Sequence, residues 1–205
     1  MATDKNIRIE HGVLNFRNFK GEKKTYEGRV TNEEGKRNFC VYLDGYDRKG
    51  NEFADANRIP KYKYGHDWLS PNELIEALQR DKWPVKWTKE KEGPNGVYPS
   101  RPYMKVNVKY SSVRPQFNPK AYSVRSDGDY TTVDEDSIAQ FDTIWIDNAD
   151  FIIKPFNYEG EGGRVSAELK IIYITPVRDL DEDDDFDGKY ARPGFDDAEE
   201  DSLPF

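Results

Sequence analysis

The chain of 205 residues has one cysteine, two histidines and no long apolar run, and each scarcity excludes a class of protein. A single cysteine, Cys40, rules out an internal disulfide and a cysteine zinc site, and its apolar neighbours favour a buried thiol on a strand. His11 and His66 have no metal-ligand spacing, so we expect neither histidine catalysis nor a bound metal or cofactor. No run approaches about 18 apolar residues and the start lacks a signal-peptide core, which predicts a soluble protein that stays where it is made.

Charge is distributed unevenly along the chain, although the net charge is only −8. Residues 1–125 hold 25 basic and 16 acidic side chains (net +9), and residues 126–178 hold 4 and 11 (net −7). Residues 179–205 hold 2 and 12 (net −10). Such a segment, nearly without apolar residues, cannot form a core. We therefore predict one domain over residues 1–178 and a disordered acidic tail over residues 179–205.

Short segments rich in β-branched and aromatic residues predict a mainly β domain. They are Ile7–Phe16, Asn38–Leu43, Tyr103–Tyr110, Ala121–Val124, Phe151–Phe156 and Val165–Ile174. One short helix is predicted from Ser70 to near Arg80, because Ser70-Pro71-Asn72-Glu73 combines an N-cap serine, a proline at the first helical position and a capping-box glutamate. Many short strands with one helix fit a small barrel or sandwich, and an OB-fold-like five-stranded barrel with insertions is the leading hypothesis.

The end of the chain changes character after the acidic run Glu199-Glu200-Asp201. Leu203, Pro204 and Phe205 are apolar, and we expect Phe205 to carry a free carboxylate. An apolar plug that ends in a carboxylate and follows acidic residues suits a basic-rimmed pocket on another protein. The sequence therefore predicts that the tail has a protein-interaction tip, formed by Asp201, Leu203, Pro204 and Phe205.

Two resemblances extend this prediction. The ending, residues 200–205, resembles the acidic tip of bacterial single-stranded DNA-binding proteins. Residues 13–177 are similar to bacteriophage single-stranded DNA-binding proteins with an OB fold, through the ordered motifs Asn18-Phe19-Lys20-Gly21, Gly35 to Phe39 and Asn148 to Pro155. The resemblance implies a non-enzymatic protein that protects single-stranded DNA in phage replication or recombination. It also implies a tip that recruits replication proteins, and a location in the cytoplasm of the infected bacterial host cell.

Sequence-independent binding of single strands needs cations for the phosphates and flat side chains on which bases stack. The basic half of the chain interleaves both kinds, and even spacing places Arg101, Tyr103, Lys105 and Lys109 on one strand face. The other predicted DNA-binding residues are Phe19, Lys20, Lys36, Arg37, Lys61, Tyr62, Lys63, Tyr64, Arg114, Phe117, Lys120 and Tyr122. For any single tyrosine, core packing is an equally good interpretation. The tryptophans assigned to the core are Trp83, Trp87 and Trp145.

Two other functions stay open at the level of sequence. A metal-dependent nuclease or resolvase needs converging carboxylates around Mg²⁺. The candidates are Asp134, Glu135, Asp136, Asp142, Asp147 and Asp150, although such clusters are more often solvated loops or strand ends. The second alternative is a protein whose acidic tail mimics DNA to inhibit a host enzyme, in which case the body alone would not bind oligonucleotides.

Overall fold

The structure, a computed structural model, describes residues 5–93, 96–125, 127–157 and 165–177. The strands in these ranges are β1 (Ile7–Glu10), β2 (Leu14–Asn18), β3 (Lys24–Tyr26), β4 (Arg29–Asn32), β5 (Arg37–Tyr42), β6 (Lys61–Tyr64), β7 (Asp67–Leu69), β8 (Val85–Trp87), β9 (Lys91–Gly93), β10 (Gly96–Tyr98), β11 (Pro102–Val108), β12 (Lys120–Val124), β13 (Tyr130–Val133), β14 (Ile146–Asn157) and β15 (Val165–Pro176). The α-helix is α1 (Pro71–Arg80), and short 3-10 helices span Ala56–Arg58, Pro115–Phe117 and Ile138–Asp142. None of these helices is long and apolar enough to span a membrane.

Eleven of the strands form one sheet, whose main path runs β2-β5-β11-β15-β14-β1-β6-β7. β8 pairs with β11, while β12 pairs with both β13 and β15. Neighbouring strands are antiparallel except that β15 runs parallel to β11 and to β12. The hairpins β3–β4 and β9–β10 form two separate two-stranded sheets.

The mainly β class with a single α-helix is confirmed, but the sheet differs from the predicted five-stranded barrel. It is not closed, since no ladder within the described ranges joins its end strands β2 and β7. The predicted strand Ile7–Phe16 divides near Gly12, because β1 pairs with β14 and β6 whereas β2 pairs with β5. The β-rich architecture is compatible with an OB fold, which stays a prediction.

Helix α1 begins and ends where the sequence predicts. The Ser70 hydroxyl accepts from the Glu73 amide, and the Glu73 carboxylate accepts from the Ser70 amide at 2.8 Å, which completes the capping box. Leu74, Ile75 and Leu78 are buried along one side of the helix. This apolar side belongs to the main core of the molecule, so the helix is held by packing as well as by its cap.

The core is built around aromatic rings and the inner face of the sheet. Phe19 stacks on Phe39, and Phe141 and Phe151 meet these two rings edge-on, with centroids 5.4–5.6 Å apart. Cys40 is buried, as predicted. A smaller apolar cluster of Ile152, Ile171 and Tyr173 lies apart from this core.

Candidate nucleic-acid interface

Strand β11 has one apolar and one polar face, as its alternating sequence predicts. Met104, Val106 and Val108 are buried in the core, whereas Tyr103 and Lys105 are half-buried on the outer face. In the ladder with β5, Lys105 lies opposite Cys40. The outer face of β11 therefore presents a tyrosine and a lysine from a strand whose other face is fixed in the core.

Three lysines converge on this outer face. Lys86 of β8 lies opposite Tyr103, and Lys36 immediately precedes β5. Burial lowers the pKa of Lys105, and the positive charges of Lys86 and Lys36 lower it further. An anion bound among these ammonium groups would offset their mutual repulsion. We call the surface formed by Lys36, Lys86, Tyr103 and Lys105 the lysine face.

Two hairpins leave the sheet at the strands of the lysine face and carry exposed aromatic rings. β3–β4 connects β2 to β5 and exposes Tyr26, while β9–β10 connects β8 to β11 and exposes Tyr98. Trp87 at the end of β8 is also half-exposed. Such rings are sequence-tolerant platforms for base stacking. Tyr26, Tyr98 and Lys86 were not among the binding residues predicted from the sequence, and Trp87 was assigned to the core. Tyr26 and Trp87 nevertheless follow a lysine by one or two positions, the pairing that selected the other candidates.

A second group of lysines and aromatic rings gathers at the outer face of β14. The Lys109 Nζ lies 5.1 Å from the ring centroid of Phe156, and the Lys154 Nζ lies 6.0 Å from that of Phe117. Burial lowers the pKa of Lys154; the carboxylate of Glu168 opposes this effect, and the positive charge of Lys109 adds to it. We call Lys109, Phe117, Lys154 and Phe156 the lysine–phenylalanine cluster.

Strand register joins this cluster to the lysine face. Asn107 of β11 lies opposite Glu168 of β15, and Glu168 lies opposite Lys154 of β14. Glu168 is buried and accepts a hydrogen bond from the Lys109 Nζ at 2.6 Å. Lysines and exposed rings thus continue across β11, β15 and β14, a combination suited to phosphates and stacked bases.

A match to a protein family indicates which ligand this chain binds. Residues 60–203, most of the chain, match the family described as "Putative phage ssDNA-binding domain". The chain belongs to this family. Membership confirms the resemblance to phage single-stranded DNA-binding proteins and identifies single-stranded DNA as the ligand. No curated protein matches the chain.

The structure places several predicted binding residues in the interior of this ssDNA-binding protein. Phe19 is fully buried among the core rings, because a bulge between Asn15 and Asn18 shifts the alternation of β2. Tyr62 is buried on the inner face of β6. Tyr64 also faces inward, where its hydroxyl donates to Asp81 and accepts from the Trp83 Nε1. Their assignment as stacking residues is corrected to core packing.

Arg101 is likewise internal, which corrects its assignment to the binding face. Its Nε and Nη2 donate to the two carboxylate oxygens of Asp44 at 2.6 and 2.9 Å. The guanidinium carbon lies 3.9 Å from the ring centroid of Tyr42. The Nη1 donates to the Arg48 carbonyl at 3.2 Å, so Arg101 fastens the loop after β5 instead of presenting a free cation.

The remaining predicted binding residues reach the surface of the protein. Three of them form exposed ion pairs, which contribute little to stability and which phosphates can replace. These pairs are Lys20–Glu22, Lys36–Glu33 and Arg37–Glu135. Lys61 and Lys63 lie on the outer side of β6, and Arg114 is exposed before a 3-10 helix. Lys120 and Tyr122 lie on β12, where Tyr122 stacks on Tyr173 at 4.7 Å.

The tip residues Asp201, Leu203, Pro204 and Phe205, and the rest of the predicted tail, lie outside the described residues. Of the three tryptophans assigned to the core, only Trp83 is buried. Trp87 ends the three-residue strand β8 and is 51% exposed, and Trp145 precedes β14 and is 79% exposed. Apolar sequence neighbours did not predict the exposure of these two side chains, because each lies at the end of a strand.

Three of the carboxylates that were candidates for a nuclease site interact with different partners in the structure. Asp142 accepts hydrogen bonds from the amides of Phe19 and Lys20, at 2.8 Å each. Asp150 accepts from the His11 amide at 2.8 Å, and Asp147 pairs with an arginine. Within residues 5–93, 96–125, 127–157 and 165–177, no group of three or more His, Cys, Asp or Glu side chains could hold a metal ion. Asp142, Asp147 and Asp150 thus have separate structural partners.

Proposed function

We propose that this protein coats single-stranded DNA without sequence preference during phage-type DNA replication and recombination, in the cytoplasm of the infected bacterium. The lysine face and the lysine–phenylalanine cluster are the proposed contact surface. The observation that carries the proposal is the placement of Lys86, Tyr103 and Lys105 on one outer face, with Lys36 close enough for its charge to lower the pKa of Lys105. It is supported by the family to which the chain belongs.

The chemistry of this surface favours binding without base readout. Lysine ammonium groups are point charges that neutralise phosphates, whereas base recognition commonly uses the bidentate fork of arginine. Arg101 is held in the interior by Asp44, and Arg37 pairs with Glu135. Exposed rings such as Tyr26 and Tyr98 can stack on any base.

The predicted tip gives the proposed function a second part. We propose that Asp201, Leu203, Pro204 and Phe205 bind replication or recombination proteins and bring them to coated DNA. The support is the chemistry of the ending: acids that suit a basic rim, then apolar side chains that suit a pocket. A pull-down with the full chain should retain a replication protein, and deletion of residues 202–205 should abolish this retention.

The contact surface is tested by titrating the protein with oligo-dT at several salt concentrations. The logarithm of the affinity should fall linearly with the logarithm of salt, and the double variant Lys86→Gln, Lys105→Gln should lower both the affinity and the slope. Each lost phosphate contact should reduce the slope by about 0.7. Lys49→Gln, an exposed lysine outside both surfaces, is the matched control. Equal slopes for the double variant and the parent would contradict the proposed surface.

A further inference from the structure

The outer side of β1, β6 and β7 carries a second group of cations around an aromatic ring. Cross-strand register places Arg8 opposite Lys63 and Lys63 opposite Trp68. The Arg8 Cζ lies 5.9 Å from the indole centroid of Trp68, and the Lys63 Nζ lies 5.8 Å from it. None of these three residues belongs to the lysine face or the lysine–phenylalanine cluster.

Trp68 is a large aromatic residue on the solvent-exposed side of the sheet. It is 52% exposed, although the opposite face of the same strands buries Ile7, Ile9 and Tyr62 completely or nearly so. The half-exposed indole, with two cations near its ring, offers its exposed part to a further ring. When a base stacks on the indole, the neighbouring cations place positive charge close to the phosphate of that nucleotide.

The position of this group continues the proposed contact surface. Arg8 lies opposite Ile152 of β14, and Lys154 follows two residues later on the same face of that strand. Between β14 and β7 stand only β1 and β6, so three interstrand spacings, about 14 Å, separate the strand of Lys154 from that of Trp68. A nucleic-acid strand leaving Lys154 reaches Arg8 at the next strand of the sheet.

We propose that Arg8, Lys63 and Trp68 form a further contact for single-stranded DNA, in which a base stacks on the indole and the two cations bind adjacent phosphates. This inference rests on the proposed function and extends its surface from β14 to β7. Arg8 also pairs with Glu10 at 2.9 Å, so phosphate binding exchanges one anionic partner of the guanidinium for another. The contact lengthens the strand that one protein molecule covers, so its effect depends on oligonucleotide length.

The experiment compares Trp68→Ala with Trp145→Ala, a matched control in which a more exposed tryptophan is removed. Both variants and the parent are titrated with oligo-dT of about 6 and about 16 nucleotides, near the extremes of known site sizes. Trp68→Ala should weaken binding of the longer oligonucleotide about 5-fold or more, with a smaller effect on the shorter one. Trp145→Ala should bind both like the parent, and Trp68→Phe should restore most of the loss.

Two results would overturn the inference while leaving the proposed function in place. One is parental affinity of Trp68→Ala for both lengths. The other is an equal loss at both lengths together with a lower melting temperature, which would assign Trp68 to holding β7 on the sheet. Failure of the parent to bind either oligonucleotide would instead overturn the proposed function, and this inference with it.

Discussion

Hydrogen bonds give Tyr64, a tyrosine in the basic half of the chain, a structural role. The Tyr64 hydroxyl donates to Asp81 at 2.7 Å and accepts from the Trp83 Nε1 at 3.1 Å. Burial, together with the hydrogen bond to Asp81, raises the pKa of Tyr64 to about 12. Tyr64 therefore ties the end of α1 to β6.

Tyr64→Phe should lower the free energy of unfolding by about 1–2 kcal/mol, because the indole N–H of Trp83 and the carboxylate of Asp81 lose a partner. Affinity for oligo-dT should stay the same. Urea unfolding and an oligo-dT titration measure the two effects, with Tyr46→Phe, an exposed tyrosine, as control. Weaker DNA binding at unchanged stability would restore Tyr64 to the binding surface.

The lowered lysine pKa values give DNA binding a dependence on pH. Burial lowers the pKa of Lys105 and of Lys154 below the ordinary lysine value of about 10.4, whereas a bound phosphate favours the charged form. Affinity should therefore be full at neutral pH and fall as pH rises through the lowered values, before exposed lysines titrate.

The measurement is an oligo-dT titration repeated between about pH 7 and pH 10. The double variant Lys105→Arg, Lys154→Arg keeps both charges throughout this range, because arginine is not deprotonated there. It should hold its affinity to higher pH than the parent. The same decline in both proteins would show that neither lysine contacts phosphate.

Individual side chains show where sequence patterns stop being informative. The alternation of β11 correctly separates Met104 and Val106 from Lys105. It fails for Arg101, whose partner Asp44 is distant in sequence. Phe19 was predicted to bind DNA because it stands beside Lys20, a pairing that carries no information on the bulge in β2 or on the burial of the ring.

At the scale of elements, the junction of β1 and β2 depends on Gly12. A Cβ added there would lie 2.4 Å from the Cε1 of Phe151 and 3.1 Å from the Cγ2 of Ile9. Phe151 is fully buried and packed against Phe39, so its ring cannot move aside freely. The Gly12 amide also donates to the Ala149 carbonyl at 2.8 Å, which keeps this segment close to β14.

Gly12→Ala should therefore destabilise the protein by about 1–3 kcal/mol through overpacking. Thermal or urea unfolding measures the loss. In a double-mutant cycle with Phe151→Leu, which removes the ring in the way, the two losses should be less than additive. Simple additivity would place the cost of Gly12→Ala somewhere other than the contact with Phe151.

Elements with strong local signals were predictable, and short ones were not. The capping box and apolar side of α1 fix its start and its buried face within one segment. The alternation of Lys61–Tyr64 was also recognised, and Tyr62 and Tyr64 do face inward. The hairpins β3–β4 and β9–β10 were missed, because three-residue strands carry too few positions to show a period.

The whole molecule is larger than the part that matches the family model. That match begins at residue 60, yet β1, β2 and β5 belong to the same sheet. β1 pairs with β14 and β6, β5 pairs with β11, and β2 pairs with β5. They also supply Ile7, Ile9 and Phe39 to the core. The family domain and residues 5–59 therefore form one packed unit.

A fragment of residues 60–205 should lack cooperative thermal unfolding and should not bind oligo-dT, because β11 and β14 lose their partners. Circular dichroism during heating checks the first expectation. A fragment of residues 1–177 is the control, since it keeps every ladder of the described strands and should unfold cooperatively. A sharp transition in the 60–205 fragment would show that the first five strands are dispensable.

The charge distribution along the chain predicts an effect of the tail on binding. We expect a segment of net −10 attached to a cationic surface to compete with DNA for that surface when salt screening is weak. Deletion of residues 179–205 should raise affinity for oligo-dT at low salt and have little effect at high salt. Unchanged or weaker binding by the truncated chain at low salt would exclude this competition.

The position of β15 has a consequence for synthesis of the protein. β15 follows every other described strand in chain order, yet it is paired with β14, β11 and β12 at once. While the chain emerges from the ribosome, β11 and β12 therefore wait for a neighbour that is translated last among them. The contact of Lys109 with Glu168 cannot form before that moment. A nascent chain thus completes the proposed nucleic-acid surface only when nearly all of the domain has been made.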